Sequence, residues 1–164
     1  MTKPKFPPDL KDFDWNWANY GKLIDEQYNA FVAQFITSSA SFMGKPVAIR
    51  WEPKEDGREA TFWHVVTRDF AKAGHRDADI ERALRIHWIR PIIENYLDPA
   101  VTYFIHPEGT GLNRHYFWIR QCNYLVILEE KPKRFFIVTA FAVDQKYMLE
   151  DLEKKLEGYL KRMQ

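Results

Sequence analysis

Three side chains in this sequence suit proton transfer and phosphate chemistry: His64 within FWHVV, Arg120 closing RHYFWIRQ, and Thr139 within FFIVTAF. An imidazole titrates near neutral pH, a guanidinium can hold the extra negative charge of a pentacovalent phosphorane, and a hydroxyl can orient a phosphate oxygen. RNA carries its own nucleophile, so attack by its 2′-hydroxyl needs no metal and gives a cyclic phosphate first. Each residue also has a plain structural reading. A histidine interrupting an apolar run is either a hydrogen-bonded core group or an active-site group, and threonine is a good strand former. Arg82 and Arg85, one helical turn apart, either grip phosphate as a pair or face water. Tyr147 stands at helical core spacing, where packing competes with stacking on a base.

Charge type is more informative than charge sum. Net charge is +1, which excludes a protein that binds nucleic acid simply by being strongly basic. All five histidines lie between positions 64 and 115, and from His64 to Arg120 the cations are seven arginines against Lys72 alone. Guanidinium forks grip phosphate oxygens in pairs, so this segment invites an anionic ligand, unless the arginines pair with Asp69, Asp77, Asp79, Glu81 and Glu94 at the surface. No HExxH, paired CxxC or EF-hand loop occurs, and His64, His75 and His87 lack the spacing of a common metal site, so neither metal nor cofactor is expected. The scattered glycines make no phosphate loop. Cys122, the single cysteine, excludes an internal disulfide and reads as an inert thiol in an apolar stretch. MTKPKFPPDL has no apolar core, so no secretory signal is read, and no run of 18 apolar residues suggests a membrane span. A cytoplasmic location without membrane partners is expected.

The elements that must position these groups follow from periodicity. Residues 1–19, with three prolines and the anchors Trp15 and Trp17, read as an extended arm, and 20–164 as one domain. Apolar positions from Leu23 to Ile36 recur at three- and four-residue steps, predicting a helix from about Tyr20 to Phe42, ended by Gly44 and Pro46. PVAIRWEP and EATFWHVVTRDF read as strands, the second carrying His64. A helix capped by Asp77 or Asp79 runs to about Tyr96, with a kink or break one turn before Pro91. VTYFIHP, RHYFWIRQ, YLVILEE and RFFIVTAFAV then predict an antiparallel meander, and DQKYMLEDLEKKLEGYLKRM a closing amphipathic helix. The fold class is α+β: helices on a four- to five-stranded, mostly antiparallel sheet, with a C-terminal helix.

FWHVVTRDF, RALRIHWIRPIIENY, FWIRQCNYLVILEE and RFFIVTAFAVD, taken in order over about residues 60–148, resemble the barnase, EndoU, colicin tRNase and RelE-like (BECR) nucleases, particularly their phage-encoded branch. The resemblance implies a metal-independent endoribonuclease that serves as a toxin or in conflict between phages, plasmids and bacteria. It implies His64 as general acid or base, Arg120 as transition-state clamp and Thr139 as phosphate-orienting hydroxyl, with Arg82 and Arg85 on backbone phosphates. Low net charge departs from many free-standing ribonucleases and favours a selected RNA such as a tRNA, or recruitment by a partner; a neutralising antitoxin or immunity protein fits the same setting. The alternative is a non-catalytic module on the same fold that binds RNA or protein, as an immunity or accessory protein would.

Overall fold

The meander forms where the sequence places it. The computed structural model describes residues 6–7, 20–70, 75–78, 80–109 and 111–164. The arm read over 1–19, with Trp15 and Trp17, falls outside the described residues except for Phe6 and Pro7; Phe6 packs against the main core. The strands β5 (Thr102–Pro107), β6 (Asn113–Ile119), β7 (Tyr124–Glu130) and β8 (Phe135–Ala142) pair antiparallel in sequence order, and α5 (Lys146–Arg162) follows. Alternation divides β6 cleanly: His115, Phe117 and Ile119 face one side of the sheet, Arg114, Tyr116 and Trp118 the other.

Among the described residues the sheet has six strands rather than four or five, in the order β1-β2-β8-β7-β6-β5, and it is partly parallel. The first helix, α1 (Tyr20–Phe35), stops seven residues short of the expected Phe42. Thr37, Ser38 and Ser39 are weak helix formers, and Ser38 Oγ donates to the Ala33 carbonyl at 3.2 Å, closing the helix. Residues 40–42 then form β1 (Ala40–Phe42), which turns into β2 (Lys45–Ala48) through Met43 and Gly44, both at positive φ as a two-residue hairpin turn requires. β2 lies parallel to β8, with Val47 opposite Phe135 and Ala48 opposite Phe136. This extra hairpin covers the start of the otherwise open β8 edge.

His64 lies on a helix, not on the expected strand. EATFWHVVTRDF is not one strand: Ala60–Val66 form α2, and Thr67–Phe70 form β3, paired with β4 (His75–Ala78). Its β-forming residues gave a local strand signal, yet Phe62, Val65 and Val66 stand at helical steps and are wholly buried against the main core, so tertiary packing overrides propensity. The expected helix to Tyr96 is likewise shorter and broken. It comprises α3 (Ile80–Ala83), a 3-10 turn Ile86–Trp88 and α4 (Ile89–Glu94), because Asp77 is taken into β4. Pro91 occupies the first turn of α4, where its missing N–H is harmless, and the break precedes it as the sequence suggests.

Two cores sandwich the sheet. α1, α2 and α4 bury Phe31, Phe62 and Ile92 against Phe117, Val126 and Ile137 on one face. On the other, Leu152 and Leu156 of α5 pack on Phe104, Tyr116, Leu125 and Ile127.

Candidate functional site

The face that α5 only partly covers carries an ordered array of side chains. Register aligns His106, Arg114, Glu129 and Phe136 in one cross-strand row, and Phe104, Tyr116, Ile127 and Thr139 in the next. A register shift between Ile127 and Leu128 bends β8 beside these rows.

A cleft of about 480 Å³ opens over the first row. Arg114, Glu129, Phe136 and Val138 form its floor, Thr61 and His64 of α2 one wall, and Arg50, Glu52 and Glu55 of the loop after β2 another. The wall is pinned where loop and helix meet, since Thr61 Oγ1 accepts from the Arg50 N–H at 2.7 Å. Glu129 is only 13% exposed and pairs with Lys131 at 3.4 Å. Arg114 Nε is buried without a hydrogen-bond partner; the Glu108 carboxylate, at 3.9 Å, is an ion-pair neighbour beyond hydrogen-bond reach.

Arg114 also lines a second cleft, of about 610 Å³, between the sheet and α5. Leu125, Ile127, Phe141 and Val143 make its apolar floor, with Tyr116, Tyr147, Lys154 and Lys155 around it. Burial works against the Lys155 ammonium, but its 2.7 Å contact with Asp151 and the neighbouring Tyr116, whose ring centroid is 5.5 Å away, keep it above the ordinary lysine range. Burial pushes the Tyr116 phenol up, with Lys155 opposing. His106 is pulled below the usual histidine value by burial and then by Lys155, and its Nδ1 is buried without a partner.

The sequence-derived residues divide among several places. His64 lines the first cleft, half-buried. Thr139 lies in the row beside that of Arg114, opposite Ile127. Tyr147 stands 69% exposed at the second cleft. Arg120 does not join them. It follows β6 six residues beyond Arg114, roughly 20 Å along the strand, where its Nη2 pairs with Glu153 and its guanidinium lies 4.5 Å from the Trp118 ring centroid. Arg82 points inward, donating from Nη1 to the His64 and Thr67 carbonyls at 2.8 Å each, 5.2 Å from the Phe141 ring. Arg85 is buried, 5.3 Å from the Trp88 ring. Burial raises the phenol of neighbouring Tyr124 well above its ordinary value, and the two arginines offset this only in part.

Arg50, Arg114 and Glu129 escaped the sequence reading as site residues. Neither β6 nor β7 alternates in burial, since both are buried on each face along most of their length, so only the register that sets Arg114 opposite Glu129 puts the two on one side of the sheet. The opposite face holds a polar network also missed: His115, 1% exposed, accepts from the Tyr103 hydroxyl at Nδ1 and donates from Nε2 to Glu130, both at 2.7 Å. The carboxylate accepts only, which places the imidazole proton on Nε2. Lys45 Nζ lies 3.5 Å from Glu130.

Among the described residues no group of three or more His, Cys, Asp or Glu could hold a metal ion, and no helix is long and apolar enough to cross a membrane. The chain matches no protein-family model, no curated protein and no solved structure.

Proposed function

We propose that the chain is a metal-independent endoribonuclease acting in the first cleft. The observation carrying this reading is Arg114, whose buried Nε has no hydrogen-bond partner and which shares a cross-strand row with Glu129 and a cleft with His64 and Arg50. Cleavage through the 2′-hydroxyl requires two proton transfers and charge stabilisation between them. Glu129 takes the 2′-hydroxyl proton as the oxygen attacks phosphorus. His64, as imidazolium, gives a proton to the departing 5′-oxygen. Arg114 and Arg50 hold the non-bridging oxygens, and the products are a 2′,3′-cyclic phosphate and a free 5′-hydroxyl. The sequence resemblance to the BECR nucleases supports the same chemistry and a toxin or phage-conflict setting, with a tRNA as a suitable substrate and a cognate inhibitor as a partner. In this site Arg114 takes the clamp role that the resemblance gives to Arg120.

The test is incubation of the purified protein with total RNA and tRNA in EDTA, followed by end analysis for cyclic phosphate. Wild type is expected to cut, and His64→Ala and Glu129→Gln each to lose roughly 100-fold or more, the usual weight of general acid–base catalysis. Folded wild type that leaves RNA intact would end the proposal. The rival, a non-catalytic RNA- or protein-binding module, is favoured by the engagement of Arg120 with Glu153 and Trp118; it requires that His64→Ala behave as wild type.

A further inference from the structure

We infer that the second cleft is a subsite for an unpaired base next to the cleaved linkage, which makes single-stranded RNA the substrate class. The inference rests on the ribonuclease reading of the first cleft. Arg114 lines both hollows, so a phosphate held by its guanidinium has an adjoining nucleoside within reach of the second. That hollow has the size of a small-ligand pocket, which spans about 300–1,000 Å³. Its floor of Leu125, Ile127 and Phe141 offers an apolar surface to the flat face of a ring, while Lys154 gives the rim a charge complementary to a flanking phosphate.

Tyr147 supplies the stacking partner. It belongs to neither core and stands exposed at the cleft although its helix neighbours Met148 and Leu149 pack inward. An aromatic ring kept at the mouth of an apolar hollow, beside an ammonium group, suits sequence-tolerant stacking on a base. The rim carboxylates do not repel the strand strongly, because Asp151 pairs with Lys155 at 2.7 Å and Glu150 with Lys146 at 4.0 Å. A duplex cannot use the hollow: its bases are stacked on one another and show edges, not faces, in the grooves.

A short fluorescent 2′-O-methyl oligonucleotide, which lacks the attacking hydroxyl, separates binding from cleavage. Fluorescence anisotropy is expected to show the single strand binding wild type at least tenfold tighter than the same sequence in a duplex. Tyr147→Ala should weaken single-strand binding roughly tenfold, the scale of one lost base–aromatic stack, whereas Tyr147→Phe should retain it. Thermal melting verifies that each variant is folded. Equal affinity for both forms, or no effect of Tyr147→Ala, overturns the subsite while RNA cleavage by wild type leaves the nuclease reading standing. Tyr147-dependent binding without cleavage of unmodified RNA removes the nuclease reading and with it the subsite's place beside a cleaved linkage, leaving a base-binding hollow of the non-catalytic rival; absence of both removes both.

Discussion

His64 and His115 show how a side chain of one type acquires different work from its surroundings. His64 lines an open cleft, whereas His115 is sealed between Phe42 and Phe135, with Tyr103 on one nitrogen and Glu130 on the other. Burial lowers the His115 pKa against the opposing pull of Glu130, and the bond to His115 lowers that of Glu130, helped by Lys45. Both shifts run downward, so the unfolded chain takes up protons at a higher pH than the folded protein does. This network therefore stabilises the fold fully above about pH 6.5, the ordinary histidine value, and loses its contribution as pH falls through the His115 and then the Glu130 folded values. His115→Phe, which leaves the Tyr103 hydroxyl and the Glu130 carboxylate without their partner, is expected to cost about 1–3 kcal/mol at pH 7.5. The deficit should shrink at pH 5, where wild type has lost part of its advantage. Urea titrations at the two pH values measure this, and a deficit independent of pH would refute the role assigned to the imidazole.

At the scale of elements, α2 is the piece that decides whether a site exists. A helix of seven residues rich in β-formers has little intrinsic stability, and it is held by burial of Phe62, Val65 and Val66 and by Arg82, whose Nη1 bridges the carbonyls of His64 and Thr67. Arg82 thus satisfies carbonyls at the end of α2 and fixes the backbone that carries His64. Arg82→Ala is expected to cost about 2 kcal/mol, the scale of a charge-assisted hydrogen bond, and to speed hydrogen exchange in α2, with RNA cleavage falling and affinity for the non-cleavable oligonucleotide retained. Unchanged stability together with weaker oligonucleotide binding would assign Arg82 to the phosphate backbone instead. In the sequence this arginine stands open between a phosphate grip and a water-facing pair, because helix periodicity shows only that it shares a face with Arg85. Whether that face meets phosphate or backbone carbonyls depends on α2, which lies 18 residues earlier in the chain.

For the whole molecule, the salt sensitivity of the proposed RNA binding is set by the phosphates the clefts neutralise rather than by the net charge of +1. Contacts from Arg50, Arg114 and one rim lysine amount to about three phosphates, for which single-strand binding should weaken with a log–log salt slope of about −2. Affinities measured between low and moderate salt check this; a much steeper slope would mean that a broader basic surface, not these clefts, carries the RNA. The β5 to β8 meander and the closing helix are legible in neighbouring positions, because strand-forming runs, turn residues and helical stripes are local features. Long-range packing settles that β2 joins β8 in parallel, that the segment holding His64 is helical, and that Arg114 rather than Arg120 lines its cleft. Those outcomes rest on contacts such as Val47 with Phe135 and on which surface remains to be buried, and no local window of residues contains that information.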